Sequence, residues 1–278
     1  MKVVKIQDTG ESPLSGRQEQ YWNHNLRPRY EKLRPGFKLN YTNQETILKL
    51  SGFKAFEYGH WTTQNDRFDF LAAALVSFSD MKKITGFDNL GFDKIGVAYG
   101  ARGKGGKVAA HFEPHSYMIN LTKPHGFGCF AHEYGHAIDY FFGGYVDPDG
   151  RIYSLSGGRL TGMNFRTEKT GSLRYYMKEV LLCMLQENGK PSESYRRLLR
   201  YGGENDYWVR HTELFARIFE QWTLYRLKTK KIENHFLTQR KYSEHWAYLT
   251  DKDFKRVLPK MNRLIREIAA KSAIRVIN

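Results

Sequence analysis

The sequence predicts an α+β fold: a small antiparallel sheet first, then a mainly helical C-terminal part. Two observations carry this. Three short runs at 94–99, 107–112 and 116–121 read as strands, punctuated by the glycines of 100–106 and by Glu113, Pro114 and His115. From residue 171 onward the chain reads as successive helices, the last of which carries its apolar residues on one face. Strands followed by helices, rather than strict alternation, point to α+β.

The elements follow in order. Residues 1–43 read as an irregular arm, interrupted by Pro13, Pro28, Pro35 and Gly36. Residues 66–84 read as a helix. Asp66 is its expected N-cap, and Phe70, Leu71, Ala74, Leu75 and Phe78 form its apolar stripe. After the sheet, 127–142 reads as a helix and 143–170 as a long loop rich in Gly, Asp and Ser. Residues 171–187, 192–201 and 210–228 read as helices. A final amphipathic helix over 251–273 presents Phe254, Val257, Leu258, Met261, Leu264, Ile265 and Ile268 on one face, with a kink expected at Pro259.

Composition narrows the function classes. Of 278 residues 41% are apolar and 15% aromatic, enough for a packed core. No apolar run approaches the roughly 18–20 residues of a membrane span, and Met1–Asp8 lacks the apolar stretch of a secretory leader. A soluble protein, working where it is made and without a membrane partner, is the expectation. Two cysteines, Cys129 and Cys183, do not make a disulfide framework and fit a reducing cytoplasm. The net charge of +15 suggests an acidic partner such as nucleic acid, although the basic residues are scattered and also suit a solvated surface.

The strongest chemical signal is His132-Glu133-Tyr134-Gly135-His136. On a helix, residues four apart share a face, about 5–6 Å between Cβ atoms, so both imidazoles can ligate one Zn²⁺. Glu133 is then placed to take a proton from the metal's water without binding the metal. A catalytic zinc commonly has three protein ligands. A ligand six residues after His136 would be Phe142, so that scheme fails. Glu213, in an apolar helix with Leu214, Phe215, Ile218, Phe219 and Trp222, is the better third ligand: a carboxylate among such neighbours needs a partner.

These segments carry a resemblance. His132–Asp139, followed by Thr212–Phe219, is similar to the catalytic halves of the anthrax lethal factor metallopeptidases, in which the Glu matching Glu213 is the third zinc ligand. Residues of about 50–222 resemble the first of the large polyvalent-protein-associated domains, zincin-like domains of phage and conjugative-element proteins. The matching stretches are 52–59, 99–106, 110–114, 119–122 and the two metal segments. The resemblance implies a zincin-like fold within the domain expected over 44–225; the arm over 1–43 and a basic helical extension over 226–278, expected to pack on that domain, carry none of it. It implies a zinc metallopeptidase that cleaves a host protein or peptide in the bacterial cytoplasm, delivered with phage or plasmid DNA. The alternative is a nucleic-acid-associated protein of such an element whose zincin fold is structural or weakly active.

Further residues have expected parts in that chemistry. Asp139, one turn after His136, can orient a ligand imidazole or simply face solvent. His111 and Phe112 lie in a segment suited to pair with extended substrate backbone; His111, Glu113 and His115 as a second metal set is the lesser reading. The glycine-rich segment from Gly100 to Lys107 reads as a hairpin turn rather than a phosphate loop. The tetrahedral oxyanion of amide hydrolysis needs a donor beyond the metal. Lethal-factor peptidases place a Tyr shortly before the ligand Glu. Tyr207 matches it one residue off that spacing, with His211 as runner-up and plain packing of Tyr207 and Trp208 as the alternative.

Overall fold

The computed structural model describes residues 43–102, 108–143, 145–146, 152–202, 206–238, 242 and 245–275. The expected arm over 1–43 lies outside them apart from Asn43, as does most of the 100–107 turn. The described residues form seven α-helices, a four-stranded sheet and two short strand pairs, in the order α1 (Gln44–Ser51), β1 (Phe56–Tyr58), α2 (Gln64–Thr85), β2 (Gly96–Tyr99), β3 (Ala110–Glu113), β4 (Met118–Leu121), α3 (Phe130–Gly143), β5 (Tyr145–Val146), β6 (Ile152–Tyr153), α4 (Leu173–Leu185), β7 (Gln186–Glu187), β8 (Lys190–Pro191), α5 (Glu193–Tyr201), α6 (His211–Thr229) and α7 (Asp251–Arg275). The fold is α+β with a helical C-terminal part, as the sequence predicts.

The sheet departs from expectation. Its order is β1-β2-β4-β3, with β1 parallel to β2, β2 parallel to β4 and only β3 antiparallel to β4, so it is mixed. The reason is the long connection through α2: a helical crossover returns the chain in the direction it left, whereas a tight hairpin reverses it. The second departure is the cap of α2. Thr63, not Asp66, is the N-cap: its hydroxyl accepts from the Asp66 amide at 3.2 Å, and Asp66 accepts from the Thr63 amide at 2.9 Å. Asp66 is the third helical residue of a capping box, and Lys123, fully buried, pairs with it at 2.9 Å.

The contacts divide into two compact units. The first comprises the described residues of Met1–Glu133 and Thr223–Gln239, the second those of Tyr134–Trp222 and Arg240–Asn278. In the first, Phe53, Phe70, Phe78, Phe130 and Phe236 form an aromatic core, with ring centroids 4.8–6.2 Å apart where they meet. Buried Asn234 ties the 234–238 turn to α2: it donates to Asp80 at 3.0 Å and accepts from Ser77 at 3.0 Å. That turn sets the start of α3, because the Gly128 and Ala131 amides donate to the Phe236 and Leu237 carbonyls.

In the second unit α4 packs on α7. Arg256 donates to the Cys183 and Gln186 carbonyls at the end of α4, satisfying acceptors that a helix terminus leaves open. The α6 helix is buried along most of its length. Trp222 donates to Asn262 of α7 at 2.8 Å, and buried Glu220 accepts from Tyr242 and Tyr248 at 2.8 and 2.7 Å. Helix α7 runs through Pro259. Cys129 and Cys183 are free thiols.

Candidate metal centre

His132 and His136 lie one turn apart on α3, and Glu213 is the third residue of α6. One donor atom from each lies within 4.8 Å of the others, so the three can hold a metal ion. His136 Nε2 stands 3.4 Å from Glu213 Oε1, and both side chains are about nine-tenths buried. Such a carboxylate and imidazole, taken out of water, need compensation by charge or coordination.

Gly135, between the two histidines, makes this approach possible. A Cβ there would lie 3.1 Å from Ala216 Cα and 3.3 Å from Phe219 Cβ, so the backbones of α3 and α6 meet where the side chain is missing. Tyr134 closes the same contact, its ring 6.0 Å from that of Phe219 and fully buried. On α6, Arg217 stands one turn after Glu213. Its guanidinium lies 3.8 Å from Glu213 Oε2, donates to the Trp208 carbonyl and lies over the Trp208 ring. Burial lowers the Arg217 pKa, opposed by the Glu213 charge.

Glu133 is buried beside His132 and is not one of the three grouped donors. Asp139 is fully buried. Its Oδ1 accepts from the Ser156 amide at 2.8 Å and its Oδ2 from the Ser156 hydroxyl at 2.6 Å. Burial raises its pKa from 3.8 to about 6, against those hydrogen bonds and the influence of His136. The solvent-facing reading of Asp139 is therefore corrected: the residue is interior, near His136, and held by a loop the sequence did not connect to it.

Tyr207 is partly exposed in a 3-10 turn (Asp206–Val209), its ring edge-on to Trp208 and under Arg210. His211 does not suit the donor role. Nδ1 faces the Ser156 carbonyl at 3.1 Å and Nε2 the Gly162 carbonyl at 2.9 Å, while its ring stacks on Phe165. Burial lowers the His211 pKa, so the imidazole is neutral and its one N–H is taken up by one of these two carbonyls. Sequence reasoning missed Tyr140, four residues after His136 and so on the ligand face. Burial, then the charges of Asp139 and Glu213, raise its hydroxyl to about 12, with Arg159 and Arg210 opposing. The spacing 132, 136, 140 was the available signal.

His111 and Phe112 lie on β3, which is an edge strand. Thr122 N donates to Ala109 O at 3.0 Å, which makes 109/122 a hydrogen-bonded pair. The alternation of antiparallel pairs then turns the backbone groups of Ala110 and Phe112 away from β4, to the outer side of the sheet formed by the described residues. His111 meets Glu113 at 3.2 Å, and Glu113 is also held by Arg102 and Ser116; among the described residues they do not form a second three-donor group.

Comparison with known families adds one finding. Residues 200–272 match the family model described as large polyvalent protein-associated domain 1. The match covers Glu213, α6 and nearly all of α7, and thus extends past residue 222 into the basic C-terminal helix. Neither a curated protein nor a solved structure matches the chain. Among the described residues no helix is long and apolar enough to cross a membrane.

Proposed function

We propose that the chain is a zinc-dependent metallopeptidase, encoded by a phage or other mobile element and acting on a host protein in the bacterial cytoplasm. The observation that carries the reading is the 3.4 Å between His136 Nε2 and Glu213 Oε1. Donors around a tetrahedral zinc stand about 3.3–3.4 Å apart, so this separation matches that ion, with the His132 donor within 4.8 Å of both. Two imidazoles and one carboxylate are also a donor set that catalytic zinc uses.

A zinc ion held there would supply Lewis acidity, to acidify water and polarise a carbonyl. His132, His136 and Glu213 would hold it, and Arg217 keeps the second Glu213 oxygen in place. Glu133 takes the proton from the attacking water and passes it to the leaving amine. Tyr207 donates to the developing oxyanion. The β3 segment with His111 and Phe112 would take an extended peptide as an added strand. Asp139 holds its place near His136 through Ser156.

The test measures bound zinc and casein-peptide hydrolysis together. Wild type should hold about one zinc per chain; Glu213→Ala should lose metal, and Glu133→Gln should keep metal and lose hydrolysis. A Glu213→Ala protein with wild-type zinc affinity refutes the ligand assignment.

A second reading, a nucleic-acid-associated protein with a structural or weakly active zincin fold, is favoured by the +15 charge and by the polyvalent-protein match. It requires DNA affinity that falls steeply with salt; no binding at low salt removes it.

A further inference from the structure

Within the loop over 154–162, one residue touches both ligand-bearing helices by itself. Ser156 is 4% exposed. Its amide and hydroxyl both donate to Asp139 of α3, at 2.8 and 2.6 Å, and its carbonyl meets His211 Nδ1 of α6 at 3.1 Å. Asp139 stands three residues after His136, and His211 two before Glu213.

The surrounding hydrogen bonds run in one direction. Because the Ser156 hydroxyl hydrogen goes to Asp139, the Ser154 hydroxyl is left to donate to Ser156 at 2.9 Å or to Asp139, which it also reaches. The Gly158 amide then donates to Ser154 at 2.8 Å. The chain thus starts at a loop amide and ends on the Asp139 carboxylate. The same loop accepts from the first amides of α6, His211 N to Leu160 O at 2.8 Å and Thr212 N to Gly158 O at 3.4 Å. On the other side the Leu155 amide donates to the Asp139 carbonyl at 2.9 Å. His211 Nε2 meets the Gly162 carbonyl at 2.9 Å, closing the loop against α6.

We infer that Ser156 is a positioning residue for the metal centre: by joining Asp139 to His211 it sets the separation of His136 and Glu213. This rests on the metal reading above. The residue touches neither metal nor substrate. It is tied to α3 by buried, charge-assisted bonds to Asp139, which are shorter and stronger than neutral ones, and to α6 by the neutral contact of its carbonyl with His211. Groups that orient metal ligands from outside commonly change affinity by about 10–100-fold when altered.

The experiment titrates the full chain with Zn²⁺ against a chelator and records the visible spectrum of the Co²⁺-substituted protein. Ser156→Ala keeps the backbone bonds and removes the hydroxyl; Asp139→Asn keeps the shape and removes the charge-assisted acceptor. Each should lose about 10–100-fold in zinc affinity and alter the cobalt bands, while metal-free protein still unfolds cooperatively. Should metal-free Ser156→Ala fail to fold, Asp139→Asn decides alone. Wild-type affinity and an unchanged cobalt spectrum in the folded variants overturn the inference. Wild type and His132→Ala binding zinc equally poorly would instead overturn the metal reading itself.

Discussion

Replacing Gly135 by Ala tests the geometry of the metal centre without touching a donor. Ordinarily Gly→Ala inside a helix stabilises by roughly 0.5–1 kcal/mol. Here the added Cβ would stand 3.1 Å from Ala216 Cα and 3.3 Å from Phe219 Cβ, against about 3.5–4.0 Å for relaxed carbon contacts. Both neighbours are backbone or next to it, so no rotamer change relieves the crowding. The helices must separate by about 0.4 Å at least. Carried to the donors, that widens the 3.4 Å gap between His136 Nε2 and Glu213 Oε1 to about 3.8 Å. A tetrahedral ion bridging such a gap needs bonds of about 2.3 Å instead of about 2.0–2.1 Å. Overpacking costs about 1–3 kcal/mol, partly offset by the gain of roughly 0.5–1 kcal/mol in helix propensity, so metal-free stability should change by no more than about 2.5 kcal/mol. Zinc affinity should fall by about 10–100-fold, the scale of misplaced ligands. Chelator competition measures affinity, and urea unfolding of the metal-free protein measures stability. A Gly135→Ala protein with wild-type zinc affinity refutes the claim that this close approach builds the site.

Two further outcomes are expected. With the Asp139 pKa raised from 3.8 to about 6, the folded metal-free protein binds more protons than the unfolded chain between those values, so its stability falls as pH rises across that window. The shift corresponds to about 2.4 kcal/mol that wild type loses relative to Asp139→Asn between pH 4 and 7; urea unfolding in which the difference between the two is flat in pH contradicts it. Tyr207→Phe should lower turnover roughly 10²–10³-fold with zinc content and melting temperature unchanged, and wild-type turnover would remove Tyr207 as the oxyanion donor.

What the sequence made legible was local. His132 and His136 are readable because four residues are one helical turn, and Glu213 because a carboxylate among Leu214, Phe215, Ile218 and Phe219 calls for a partner. What it hid depends on distant chain. The sheet is mixed because of where the α2 crossover returns, and β1 is three residues long, too short for a period-2 signal. Ser156 looks like any serine in a Gly- and Ser-rich loop, because its partners Asp139 and His211 lie 17 and 55 residues away. Gly135 reads as a helix-weakening residue until Ala216 is seen across from it.

The two ligand helices share a further property. Each begins on backbone acceptors from remote chain: α3 on Leu237, whose carbonyl takes the Ala131 amide, and α6 on Leu160 and Gly158, which take those of His211 and Thr212. The first amides of a helix have no partner within it, so whatever accepts them also fixes where the helix starts. In α3 the first metal donor is the third residue, and in α6 the donor is again the third. The carbonyls that receive these amides therefore set the height of His132 and Glu213 along their axes. Donors placed by protein–protein hydrogen bonds are placed before any ion arrives. Metal should then add stability by mass action on a formed site, about 2.7 kcal/mol at an ion concentration one hundred times the dissociation constant, rather than being required for the chain to fold.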